Sequence, residues 1–147
     1  MKYSIEHLIK KYGRARICKD IPTQQVYAKR MLDTAECFDE MLTVYMFYVK
    51  ANINGQYAAS MQENLLETAK SFRELKDVYL WANERKDFDF AKQVKEKIYR
   101  TAGFFQFQEF YYFASCIEER LGRPENGLRK EVALAAARSV PLIGKLF

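Results

Sequence analysis

Breakers of regular structure are scarce in this chain. Six glycines and three prolines punctuate 147 residues, and runs of valine or threonine are few. Sheets are rich in β-branched residues and tight glycine turns, so the shortage excludes most strand-based folds and favours an all-α chain. Cysteine is equally sparse. Cys18, Cys37 and Cys116 are an odd number without framework spacing, which argues against a disulfide scaffold and for buried thiols in a reducing, cytoplasmic setting. No CxxC occurs, and the lone histidine, His7, adjoins Glu6 instead of meeting a second ligand at helical spacing. Neither a zinc site nor a carboxylate-bridged metal pair is expected. GxGxxG, P-loop and GxSxG motifs are missing, and no nucleophile and base pair proposes itself, so neither a cofactor nor catalysis is expected. The longest strongly apolar run, MLTVYMFYV at 41–49, falls far short of the roughly 20 residues that span a bilayer. The start, MKYSIEHLIKKYGRAR, lacks the apolar segment of a secretory signal.

What is abundant is apolar and charged surface. At 49% hydrophobic and 29% charged residues, the chain has the composition of a folded domain, and its length suits a single one, 1–147. The charge is uneven. Residues 1–30 carry eight Lys/Arg against two Asp/Glu, residues 31–67 one against six, and residues 120–147 six against two. A basic start beside an acidic stretch either addresses an external polyanion or lets two segments of one fold complement each other.

Three-and-four spacing of apolar residues predicts six or seven helices. Ser4 caps a short first helix that Gly13 ends near Tyr12. RARICKDIP reads as a connector. Thr23 caps a long helix to about Asn52, and Asn54-Gly55 breaks the chain before a helix from about Tyr57. Ser71-x-x-Glu74 is a capping box that starts a helix at Phe72. Asp87 caps FDFAKQVKEKIYRTA, closed by Gly103. FFQFQEFYYF at 104–113 opens the next helix, closed by Gly122. A last helix, about 126–139, stops at Pro141 and leaves the tail LIGKLF.

An internal repeat underlies this order. AECFDEMLTVY from Ala35 is echoed by AKSFRELKDVY from Ala69, 34 residues later, and FQEFYYFA from Phe107 continues the series. ANINGQYAAS from Ala51 resembles ANERKDFDFA from Ala82. Counting each Phe as position zero, positions 0, 3, 7 and 10 share one helical face. They hold Phe38, Met41, Tyr45 and Tyr48; Phe72, Leu75, Tyr79 and Ala82; Phe107, Phe110, Ala114 and Ile117. This is the expected core. Positions 5 and 9 point away from it and hold Thr43, Phe47, Asp77, Trp81, Tyr112 and Cys116, joined by Phe105.

A period near 34, with helix, turn, aromatic and small residue in order, resembles the tetratricopeptide repeat over about residues 35–121. The first helix of each unit has Tyr45 or Tyr79 where that family has a small residue, and the family's proline at repeat ends is absent. The resemblance implies stacked helical hairpins, the alternative being a plain helical bundle. It also implies a groove lined by the first helices, an adaptor or chaperone-like role, and a protein segment as partner. The residues expected to face that partner are Glu40, Phe47, Asp77, Trp81, Phe105 and Tyr112. The competing reading is that neighbouring helices cover this second stripe. An alternative function is nucleic-acid binding by the basic start, with Lys10, Lys11, Arg14, Arg16 and Lys19 tracking phosphates and Tyr3 and Tyr12 stacking on bases. The apolar tail is expected to pack on its own core or a second copy, and membrane contact is not expected.

Overall fold

The computed structural model describes residues 4–53, 55–122 and 127–139. Among them the chain is all-α, with eight helices and no strand. These are α1 (Ile5–Ile17), α2 (Ile21–Thr34), α3 (Phe38–Ala51), α4 (Gly55–Thr68), α5 (Phe72–Glu84), α6 (Phe88–Thr101), α7 (Phe104–Arg120) and α8 (Leu128–Ser139). None of the described helices is long and apolar enough to cross a membrane.

The chain divides into two compact units, Met1–Lys70 and Ser71–Phe147. In the first, α1 pairs with α2 and α3 with α4, while α1 lies against α3 and α2 against α4. In the second, α5 pairs with α6 and α7 with α8, while α5 lies against α7 and α6 against α8. Each unit is two sequential hairpins laid side by side, first helix to first helix and second to second.

Local chemistry explains most helix starts. Ser4 Oγ accepts the His7 N–H at 3.2 Å. Ser71 and Glu74 exchange both capping-box hydrogen bonds, at 3.1 and 3.2 Å. Asp87 accepts the Phe90 N–H at 3.2 Å. Each bond satisfies an N–H that the first turn leaves without a helical partner. At α7 no side-chain oxygen is available from Gly103, and Gln106 reaches back to the Gly103 N–H at 2.8 Å.

Four expectations are corrected. Gly13 does not end α1. Its cost in a helix interior, about 1 kcal/mol, is offset by the buried stripe Ile5, Leu8, Tyr12 and Ala15. RARI therefore belongs to α1, and the connector is only Cys18, Lys19 and Asp20. Thr23 is not the cap of α2. Asp20 is, accepting the Thr23 N–H at 3.3 Å and its hydroxyl at 2.6 Å. Pro22 sits within the first turn, where a missing N–H costs nothing. The long helix to Asn52 is two helices, broken at Ala35–Cys37, which raises the count to eight. Ala35 is extended (ψ 120°), Cys37 is the N-cap of α3 without a side-chain hydrogen bond, and Glu40 reaches back to accept the Glu36 N–H at 3.1 Å. Pro141 and the tail after it lie outside the described residues.

The hairpin turns repeat as well. Lys19 (φ 56°) and Lys86 (φ 63°) are left-handed, each followed by an aspartate that caps the next helix. The Asp20 N–H donates to the Ala15 carbonyl and the Asp87 N–H to the Ala82 carbonyl, both at 2.9 Å. Those bonds satisfy helix-end carbonyls and offset the strain of a left-handed lysine. Gly122 (φ 71°) closes α7 without that strain.

The predicted core stripe is buried with two exceptions. Phe38, Tyr45, Tyr48, Leu75, Tyr79, Ala82, Phe107, Phe110, Ala114 and Ile117 are all inside, whereas Met41 and Phe72 are half-buried. In the second unit, Phe110 meets Tyr79 edge-on at 5.2 Å and Tyr99 at 5.9 Å. In the first, Tyr45 accepts the Gln62 amide at 3.1 Å and Tyr48 donates to the Ala28 carbonyl.

Burial pushes the Tyr48 phenol well above its ordinary value, helped by nearby Tyr57 and Asp33. Burial, then Glu131, does the same to Tyr99, which donates to that carboxylate at 3.1 Å. Both phenols stay neutral in the folded chain, while unfolded ones ionise near 10.0. Their contribution to stability is therefore constant below pH 10 and is lost as pH rises above it. Urea denaturation at pH 8 and pH 11 is expected to show a fall in stability that Tyr48→Phe with Tyr99→Phe reduces. An equal fall in that double variant would contradict the assignment.

Candidate functional site

The second stripe of the repeat emerges most fully on α7. This helix starts one turn before the phase set by Phe38 and Phe72, and the extra turn carries Phe104 and Phe105. Phe105, Tyr112 and Cys116 are spaced by seven and four residues, so they share one face. All three are exposed, Phe105 at 85% and Tyr112 at 61%. Their face is opposite the buried one, which holds Phe107, Phe110, Ala114, Ile117 and Glu118.

Asp77 and Trp81 stand on α5, the helix packed against α7, and both are half-buried. The second unit thus brings four of the six expected partner-facing residues onto two adjacent helices. Glu40 and Phe47 belong to the first unit. Phe47 is half-buried and packs edge-on against Tyr12 of α1, ring centroids 5.3 Å apart.

The seam between α5 and α7 is closed by charge and rings together. Lys76 Nζ lies 2.7 Å from Glu109 Oε1, 5.1 Å above the Phe72 ring and 5.4 Å above the Phe113 ring. An ammonium between two ring faces is held by their quadrupoles as well as by the carboxylate. At the end of α7, Arg120 pairs with Glu84, the last residue of α5. Phe72 takes part in this clasp, its ring facing the Lys76 ammonium, and it is half-buried and not enclosed.

The three acids at position 2 of the repeat all have partners within the chain. Glu40 accepts the Glu36 N–H, Glu74 completes the capping box of α5, and Glu109 holds Lys76. Each carboxylate is engaged by its own chain.

An apolar cleft of about 310 Å³ opens on the other flank of α7, toward α8. Phe104, Phe105 and Tyr111 form one wall, Val132, Ala133 and Ala136 the other, and Phe107 the floor. Arg129 and Gln108 stand at its edge. Sequence reasoning did not place this cleft. Its only advance signal was the pairing of two bulky residues, Phe104 and Phe105, with an alanine-rich last helix, which leaves space where α8 is thin.

Comparison with protein-family profiles, with characterised proteins and with solved structures returned no match.

The remaining candidates fall into place by burial. Lys10, Arg14, Arg16 and Lys19 are exposed on α1 and its turn, and Lys11 is half-buried. Tyr12 is buried, so its ring is not available to stack on a base. Tyr3 lies outside the described residues. The thiols expected in the core are all exposed. Cys18 and Cys37 are cap residues beyond the buried stripes of their helices, and Cys116 is on the outer face of α7. Among the described residues no three His, Cys, Asp or Glu side chains gather as a metal site would require. Tyr99 donates to Glu131, which also meets Lys95 at 2.8 Å, and this half-buried cluster ties α6 to α8. Its phenol is held neutral, which makes it a hydrogen-bond donor and not a base near pH 7.

Proposed function

We propose that this chain is a non-catalytic protein-interaction module, adaptor-like or chaperone-like, that receives a segment of another protein on α7. The observation that carries the reading is the exposure of Phe105 and Tyr112 on one face, beside an apolar cleft. Burying a ring of this size gains roughly 1.5–3 kcal/mol, and the described chain leaves that gain unused. Aromatic anchors beside a pocket are the usual source of binding energy in protein contacts.

The helical order supports a tetratricopeptide-like array. First helices begin at Ile5, Phe38, Phe72 and Phe104, close to the 34-residue period of that family. Such arrays present their first helices to extended or helical ligands. With the acids of position 2 engaged internally and Arg129 at the cleft edge, a segment with apolar anchors and acidic flanks fits better than a basic one.

Selection of a random peptide library on the full chain tests this, followed by titration of the recovered peptides. Trp81, the sole tryptophan, lies on the helix adjoining α7 and supplies an intrinsic signal. Phe105→Ser and Tyr112→Ser are each expected to weaken binding by about 2 kcal/mol or more, with unchanged circular dichroism. Peptide binding that survives both substitutions would refute the reading, as would a library that yields no binder.

A further inference from the structure

The closed end of the first hairpin exposes aliphatic side chains that the turn itself does not require. Ile17 is 82% exposed and Ile21 60%, on either side of the turn Cys18–Asp20. The same turn recurs 67 residues later, with the left-handed lysine and the capping aspartate in the same places. There the residue matching Ile17 is Glu84, paired with Arg120, the residue matching Ile21 is the half-buried Phe88, and the residue matching Val26 is the exposed Gln93. The turn therefore forms without an exposed aliphatic residue at any of the three positions. In the first hairpin Val26 is also exposed.

Cations surround this tip. Between residues 10 and 30 there are seven Lys/Arg and one acid, Asp20. That acid is already accepting two hydrogen bonds from Thr23. Arg14, Arg16 and Lys19 are exposed within one turn of Ile17, and Lys10 lies on the same helix.

From this juxtaposition we infer that the α1–α2 tip is a docking surface for an anionic lipid bilayer. Ile17 and Ile21 enter the headgroup boundary, and Arg14, Arg16 and Lys19 meet its phosphates and carboxylates. Aliphatic side chains gain free energy on leaving water for acyl chains, and each nearby cation adds attraction to an acidic surface. A nucleic acid would use the cations but has no place for two isoleucines, and of the two rings expected to stack on its bases Tyr12 is buried against Phe47 and Tyr3 lies outside the described residues. A second copy of the same tip would bring like charges together. The site is peripheral: the tip lies on the surface and does not span. This partner was not foreseen from the sequence, where Ile17 and Ile21 read as parts of a connector.

The test is co-sedimentation of the full chain with vesicles. Binding to phosphatidylserine-rich vesicles is expected, with little to pure phosphatidylcholine and loss as salt is raised. Ile17→Ser with Ile21→Ser is expected to weaken it at least about tenfold, and so is Arg14→Glu with Arg16→Glu. Ile17→Leu with Ile21→Leu should keep it. All these positions are exposed, so circular dichroism should not change. The inference is overturned if no vesicle binds, if the serine variant binds like the parent, or if single-stranded oligonucleotides bind while vesicles do not.

Discussion

Phe107→Ala is expected to destabilise the chain by about 3–5 kcal/mol, a large share of what a domain of this size possesses. The ring is 1% exposed and lies between two contacts. Tyr99 of α6 is 6.3 Å away centroid to centroid, and the α7–α8 cleft lies above it. Removing it leaves a void among rings that are already fixed by edge-on packing, so little collapse can fill the space. Phe72→Ala is expected to cost clearly less, because Phe72 is half-buried and its ring meets the Lys76 ammonium. Urea denaturation of the two variants side by side measures the difference. Equal midpoints would show that the burial assigned to position zero of these two units is wrong.

Tyr45→Ala is the counterpart in the first unit, with an expected loss of about 3–5 kcal/mol for a fully enclosed ring. Tyr45 is 0% exposed, flanked by Val44 and Tyr48, and its hydroxyl accepts the Gln62 amide from α4. Tyr45→Phe keeps the ring and removes the hydroxyl, with the Gln62 hydrogen bond it accepts, for which about 1 kcal/mol is expected. The gap between the two variants separates packing from hydrogen bonding at one position. If Tyr45→Phe cost as much as Tyr45→Ala, the hydroxyl and not the ring would be holding α3 to α4.

The break that splits residues 23–52 into α2 and α3 was already written in the repeat. AECF aligns with AKSF, and the latter has a readable capping box at Ser71. Cys37 has no side-chain oxygen to cap with, so the first copy looked continuous. The structure resolves this with Glu40, which reaches back one residue farther, to the Glu36 N–H. The hairpin α1–α2 was missed for a related reason. Its signature is not the Phe stripe but the Lys-Asp turn at 19–20, echoed at 86–87, and a left-handed lysine carries no compositional signal as a glycine would.

The expected partner face divides along the same lines. That Phe105 and Tyr112 lie opposite the core stripe was legible from their spacing, whereas their exposure was not, because a second helix layer could have covered that face. The cleft beside them was not legible either, because its second wall is Val132, Ala133 and Ala136, contributed by α8 from more than 20 residues away.

By itself the sequence determined the all-α class, the helix caps at Ser4, Ser71 and Asp87, and the face on which Phe107, Phe110, Ala114 and Ile117 meet the core. Those outcomes depend on hydrogen bonds and side-chain angles within a few residues, and such short-range terms act on any chain carrying the same letters. Tertiary structure alone decided that Phe107 is enclosed while Phe72 lies over a lysine, that the three cysteines are outside, and that Ile17 and Ile21 stand uncovered at a hairpin tip. Burial is a property of two elements meeting, and which surfaces meet is settled only when the hairpins close and lie side by side.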